Sequence, residues 1–522
     1  MTFNYIKNTT KKHEIPVTKK ITGTKKNDGG GYSHVIGKWE FLDRFLIIGA
    51  ESGTYYVSQE ENQQRNCDNT IACIVENGIK VVDTVVEVSA GGKAAKNDSA
   101  IYVLALCFTH GNDETKQYAE KALQKVCRIG THILMFVAFI KSMRGFGKSV
   151  ARAINAWYTD KTDDALAFQL TKYQNRNGWT HKDVFRLSHP KFGKRNAKSA
   201  IAKWVVTGEI PKGKTKGQSL IRVIDSCRGV EVKKAIPIIK EHNLQREHLD
   251  TNLLNDVSIQ AAMLDNLGGT ALVRNLGNMT KSGLLHGNNE YVKNIYHKLN
   301  DKEYIAKSKL HPLKLLIALN TYNAGGGGFG ASYVPNQTIS SSLEAALALS
   351  FNSVKPTNEN YFFGLDVSGS MGWEAISGVS CCAVASVMAL TFAKVEPWTF
   401  IGGFSGNFTE LGISKADSVN SAMDKAIKTN FGSTNPSAAI EYAIQRKMDV
   451  DKFVFITDND CNRGYHASET IKKYRSLMNK PKAKIIVFGL TASQFSIADK
   501  NDPFSLDVAG TTPDMTSIIQ NF

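Results

Sequence analysis

From residue 36 to residue 324, apolar residues recur every three to four positions in one stretch after another. That period belongs to a helix with one buried face. The spacing predicts helices over 68–85, 99–109, 114–126, 131–142, 148–157, 198–207, 232–242, 258–266, 291–299 and 312–322. Strand patterns are scarce. Serial helices of this length pack as stacked pairs in an α-solenoid, although no strict sequence period marks the repeats. Four glycines at 325–328 end the pattern, because such a run does not continue a helix.

After one more helical stretch at 341–350 the period changes. Short apolar runs at 361–365, 399–404, 453–456 and 485–490 alternate with helical stretches at 376–394, 414–428, 436–446 and 467–478. This alternation predicts a doubly wound α/β domain with a mostly parallel sheet. Residues 1–34 are rich in Lys, Thr and Gly, offer little to bury, and read as a flexible basic tail. No apolar run is long enough to span a bilayer, the best being 131–140. The polar start lacks the apolar core of a signal peptide, so a soluble cytoplasmic protein is expected.

Charge adds a functional direction. The chain holds 64 Lys and Arg against 48 Asp and Glu, a net charge of +16. Residues 351–522 hold 16 basic and 17 acidic residues, so the whole excess, +17, lies in the first 350. A segregated positive charge attracts polyanions by steering and by counterion release. The eight cysteines form no C-x-x-C pair and no zinc spacing, and read as reduced core residues.

Ligands of an open α/β sheet bind beyond the carboxyl ends of its strands. At the first such end stand Asp366-Val367-Ser368-Gly369-Ser370; Thr434 opens a later helix, and Asp458 ends a later strand. A carboxylate pair with three hydroxyls suits one hard divalent cation, Mg²⁺ first, with Mn²⁺ or Ca²⁺ as alternatives. Over residues 360–522 this set resembles the metal-ion-dependent adhesion site of the von Willebrand factor A family. The resemblance implies that Asp366, Ser368, Ser370, Thr434 and Asp458 hold the cation directly or through water, leaving a position for a partner's acidic group. Asn435 departs from the acidic residue that many relatives carry there. The site is poor in carboxylates for two-metal hydrolysis.

Several helical segments also follow a known order. They include Phe45-Leu46-Ile47-Ile48-Gly49-Ala50-Glu51-Ser52-Gly53-Thr54-Tyr55-Tyr56, Arg128-Ile129-Gly130-Thr131-His132, Lys172-Tyr173-Gln174-Asn175-Arg176-Asn177-Gly178-Trp179, Arg186-Leu187-Ser188-His189, Arg274-Asn275-Leu276-Gly277-Asn278 and His311-Pro312. Together they resemble the Ro autoantigen, or TROVE-module, family. The resemblance implies an all-α, HEAT-like helical-repeat ring over 35–350, with a doubly wound α/β von Willebrand A domain over 355–522 joining its ends. It implies a monomeric, membrane-free ribonucleoprotein of noncoding-RNA quality control rather than an enzyme. Small Y-like RNAs would bind the basic outer surface, single-stranded 3′ ends of misfolded RNAs would enter the central hole, and an exoribonuclease would be a partner.

Lys172, Arg176 and His189 match the family's outer RNA contacts. A helix through 172–176 would put the first two on one face. Arg144, Lys148 and Arg152 recur every four residues, which makes a basic stripe for the rim of the hole if the segment is helical. Gly145-Phe146-Gly147-Lys148-Ser149 is not a phosphate loop, since Ser142 stands where the motif needs glycine. The alternative from another class is a metal-dependent protein-interaction scaffold acting through the A-domain cation.

Overall fold

The computed structural model describes residues 11–49, 57–94, 96–308, 310, 312–325, 332–350, 356–372, 374–376, 379–428, 432–510, 518–519 and 521–522. Parts of three sequence features, at 50–56, 311 and 326–328, lie outside the described residues, as do residues 1–10.

The helical part is a continuous array from Lys38–Ile48 to Gln337–Ser350, in which successive helices pack on one another. Its longest member, Gln59–Gly91, begins nine residues before the apolar period does. The opening turns, Gln-Glu-Glu-Asn-Gln-Gln-Arg-Asn, are polar, so amphipathic spacing cannot mark them; the Ser58 hydroxyl accepting from the Glu61 amide does. Asn77 leaves helical geometry in mid-course (φ −155°, ψ 84°), and its side chain caps the second half by accepting from the Lys80 amide.

The C-terminal part is a six-stranded sheet. The order is Ser505–Ala509, Lys484–Gly489, Lys452–Thr457, Tyr361–Asp366, Thr399–Phe404 and Phe408–Glu410. All neighbours are parallel except the last pair. The central strands are buried on both faces, as parallel strands must be. Tyr361, Phe363 and Leu365 share a core with the helix Cys381–Ala393, whereas Phe362 packs with Ala439, Ile440 and Ile471 on the opposite side. The predicted doubly wound domain is present.

Both ends of the array are fastened to this one domain, which closes the ring. At the far end, Ile339, Leu343 and Leu347 share a core with Cys382, Val384 and Leu390. At the near end, Arg44 is 1% exposed and pairs with both oxygens of Asp507 at 2.5 and 2.6 Å. Its other nitrogen donates to the carbonyls of Ser493 and Phe495 at 2.9 and 2.6 Å. The two terminal nitrogens are thus satisfied by a carboxylate and two carbonyls of the sheet domain, while Nε is buried with no partner among the described residues.

Residues 11–34 are not a flexible tail. Thr24–Lys26 pairs antiparallel with Tyr32–Val35, which in turn pairs with Phe495–Ser496 of the α/β domain. Val17 is buried, and the Asn27 amide and Ser33 hydroxyl donate to the carbonyls of Cys461 and Asn459 at 2.8 and 3.1 Å. A Cβ at Gly31 would lie 2.1 Å from the Cys461 carbonyl oxygen, so only glycine fits that approach. The segment is held by buried polar groups that find backbone partners, and composition does not reveal those.

Removing Asp507 leaves the buried Arg44 uncompensated. Asp507→Ala should therefore cost about 3–5 kcal/mol, read as a lowered urea midpoint. Arg65→Ala removes a partly exposed pair with Asp28 and should cost less than about 1 kcal/mol in the same titration.

Candidate functional site

Four of the five oxygen-bearing residues forecast from sequence meet at the carboxyl ends of Tyr361–Asp366 and Lys452–Thr457, and the fifth, Thr434, is tied to the loop that follows Asp458. Asp366, Ser368, Ser370, Thr434 and Asp458 are all 0 to 3% exposed. The Asp366 carboxylate accepts from the Ser368 amide at 3.0 Å and from the Thr457 hydroxyl at 2.6 Å. The Ser368 and Ser370 hydroxyls are 3.0 Å apart, and Ser370 also bonds the Asp458 carboxylate. Thr434 is fixed through its backbone, its amide donating to Asn462 Oδ1 at 2.9 Å and its carbonyl accepting from Asn462 and Arg463.

Two observations make the set fit a hard cation. The Thr434 hydroxyl oxygen is buried with no hydrogen-bond partner among the described residues, and an orphaned oxygen of this kind is what a metal or its water would satisfy. Burial, and then the charge of Asp458, push the Asp366 carboxyl up to about 7. Burial also raises Asp458. A divalent cation would offset the cost of placing both charges here. Among the described residues no group of three or more His, Cys, Asp or Glu forms a metal cluster, so this site would rest on two carboxylates and three hydroxyls.

Sequence spacing did not reveal the site's support. Asp460 is buried beside Asp458, and burial pushes its carboxyl well above the usual range while the nearby backbone of Asp28 and Gly29 acts against that. Asp28 is in turn paired with Arg65 of the array at 2.9 Å. The metal loop, the N-terminal hairpin and the ring are therefore linked through hydrogen bonds and one ion pair.

The helical candidates fare differently. Lys172 ends the helix Asp163–Lys172, so it does not share a helix face with Arg176. Its ammonium donates to Gln245 at 3.3 Å and lies 5.2 and 5.6 Å from the rings of Phe168 and Tyr173. Arg176 stands exposed on a hairpin with Trp179–Thr180, turned by Asn177 and Gly178 with φ of 50° and 77°. His189 is exposed and caps the helix His181–Ser188 in left-handed geometry. The stripe of Arg144, Lys148 and Arg152 does not form, because residues 145–147 break the helix. Arg144 is extended beyond the helix Gly130–Met143 and donates to the Phe108 carbonyl at 2.6 Å. Lys148 starts the next helix, and Arg152 is neutralised there by both oxygens of Glu120.

A different basic cleft takes its place. Lys96, Arg274, Lys281 and Lys314 line a cavity of about 350 Å³ that brings an early loop of the array against two late helices. Burial lowers the Lys314 ammonium, and Arg274 lowers it further. Burial and then Arg128 press His132 down to about 4, so its ring is neutral near pH 7. Arg274 and Lys281 are seven residues apart on the helix Gly269–Lys281, which was not among the helices predicted from sequence, and the fold adds Lys96 and Lys314.

Residues 360–522 match the family model described as the Ro60 vWA domain, and residues 25–218 and 239–324 match the TROVE domain. The chain is 33% identical over 496 residues to the RNA-binding protein RO60 of Deinococcus radiodurans, covering 93% of this chain and 92% of that protein. It is 30% identical over 582 residues to the protein of the same name from Caenorhabditis elegans, covering 96% and 90%. The crystal structure of the Deinococcus radiodurans RO (RSR) protein superposes with a TM-score of 0.71 at 32% identity, covering 93% of this chain and all of that one.

Calorimetric titration with Mg²⁺ or Mn²⁺ checks the cation set. Binding to the wild-type chain should weaken as pH falls through about 7, where the proton on Asp366 competes with the cation. Thr434→Val should weaken it by about 10-fold or more. A pH-independent affinity that survives Asp366→Ala would contradict the assignment.

Proposed function

Since this chain belongs to the Ro60 RNA-binding protein family, with a TROVE module followed by a von Willebrand A domain, we propose that it is a cytoplasmic ring that captures noncoding RNA for quality control. The observation that carries the reading is the placement of charge. Of the +17 in the first 350 residues, +5 is carried by residues 1–34 and +12 by residues 35–350, which form the ring. It surfaces as the exposed Arg176 hairpin on one part and as the Lys96–Arg274–Lys314 cleft on another. Exposed arginine suits bidentate contact with phosphate. In this reading a folded, Y-like RNA lies on the outer surface, touching Lys172, Arg176 and His189. The single-stranded 3′ end of a misfolded RNA enters the cleft, where lysines and arginines track the backbone. A captured end of this kind is a substrate for an exoribonuclease working beside the ring.

The chain acts by binding and not by catalysis. The buried oxygen set serves one divalent cation, and its role is to hold the loop that carries Asp458, to which the N-terminal hairpin is fastened. A second reading, a protein-interaction scaffold gripping an acidic partner through the cation, is favoured only by the unpartnered Thr434 hydroxyl.

A gel shift with a structured RNA ending in a single-stranded 3′ tail tests the reading. Binding should fall steeply with salt, and Arg176→Ala should weaken it while reducing the salt slope by about 1. Arg152→Ala, already paired with Glu120, should change little. Salt-insensitive or absent binding would overturn the proposal.

A further inference from the structure

We propose that the pocket between the helices Val257–Leu264 and Gly269–Lys281 holds one unstacked nucleobase of single-stranded RNA. The inference rests on the RNA-binding reading and adds a base-recognising position to it. The pocket has a volume of about 370 Å³, within the range of small-ligand sites. Its floor is apolar, formed by the buried Met263, Leu267 and Met279. Thioethers are soft and polarizable and pack well against an aromatic face.

The walls are amides, and the structure orients some and leaves others open. Asn275 donates to the Ala271 carbonyl at 2.7 Å and accepts from Arg246. Gln260 donates to the Leu254 carbonyl at 3.1 Å and accepts from the Ser282 hydroxyl at 2.7 Å. Each therefore keeps a second N–H and a second lone pair in a fixed direction. Asn255 and Asn278 line the same pocket, and among the described residues their side chains make no hydrogen bond. Amides carry a donor and an acceptor side by side, which is the pattern needed to pair with a base edge. Among the described residues no carboxylate lines the pocket, and Arg246 and Lys281 in its lining supply charge for a phosphate. An apolar floor, amide walls and cationic margins together select a nucleotide.

Continuity selects a strand over a free mononucleotide. Asn278 and Lys281 line both this pocket and the basic cleft, on the two flanks of one helix. Arg274, Asn278 and Lys281 stand at i, i+4 and i+7 and share a ridge. A chain whose phosphates follow the cleft can turn one base across Asn278 into the amide pocket without leaving the protein.

The test uses the full chain and RNAs with a single-stranded 3′ tail, in which one abasic residue is stepped along the tail. One position should lose about 10-fold in affinity, the usual worth of one stacked and paired base. Asn278→Ala, an exposed substitution that spares the core, should bind the intact tail about as weakly as the wild type binds that abasic RNA. The variant should also no longer distinguish the two RNAs. Gln260→Ala should act in the same direction, and adenosine monophosphate should compete poorly. Wild-type binding that is equal for every abasic position, or position dependence that persists in both variants, would overturn the pocket and leave RNA binding intact. No binding of any tailed RNA would overturn both, and strong competition by the mononucleotide would overturn the strand in favour of a free nucleotide site.

Discussion

The bidentate pair between Arg44 and Asp507 joins the first helix of the array to the outermost strand of the sheet, and the closed form of the ring depends on it. Helical arrays are otherwise open, because each helix pair contacts only its neighbours. Here one α/β domain holds both ends, by an apolar core at Gln337–Ser350 and by a buried charge at Lys38–Ile48. The two fastenings differ in kind. Apolar packing tolerates small shifts, whereas a guanidinium bonded to one carboxylate and two carbonyls accepts a single geometry. Closure also brings Lys96, from the start of the array, to the same cleft as Arg274 and Lys314 from its far part.

The same domain carries the cation loop, and the N-terminal hairpin ties the two together. Asn27, Gly31 and Ser33 lie against the backbone of residues 459–461, next to Asp458. Arg65 reaches from the longest helix of the array to Asp28 in the same hairpin. Order at the Asp458 loop and order in the ring thus share a set of polar contacts, some buried and one, Arg65 with Asp28, partly exposed.

Much of this was legible in the chain. The helical period, the change of period after residue 350 and the strand ends that carry Asp366 and Asp458 could be read directly, because burial on one face and loops at strand ends leave local marks. What escaped lacks local marks. The hairpin at 24–35 is polar and is buried only because Cys461 and Asn459 supply carbonyls from more than four hundred residues away. Ser505–Ala509 is a half-buried edge strand with a weak pattern. The stripe of Arg144, Lys148 and Arg152 failed for a visible reason, since Gly145 and Gly147 stand between its members. Lys172 and Arg176 were separated because the helix ends at Lys172 and Arg176 already stands in the strand that leads into the Asn177–Gly178 turn. The basic cleft is assembled from residues as far apart as Lys96 and Tyr333, and no spacing rule reaches that far; the amide pocket draws on residues between Arg246 and Ser282.

The central claim is that RNA is held by the ring and that the A domain closes it. Ultraviolet crosslinking of RNA bound to the full chain, followed by mass-spectrometric mapping of the crosslinked peptides, tests this most directly. The account predicts crosslinks in the hairpin of Arg176 and in the helix Gly269–Lys281, with residues 360–522 nearly free of them. Crosslinks concentrated in residues 360–522, with none in those two segments, would contradict it.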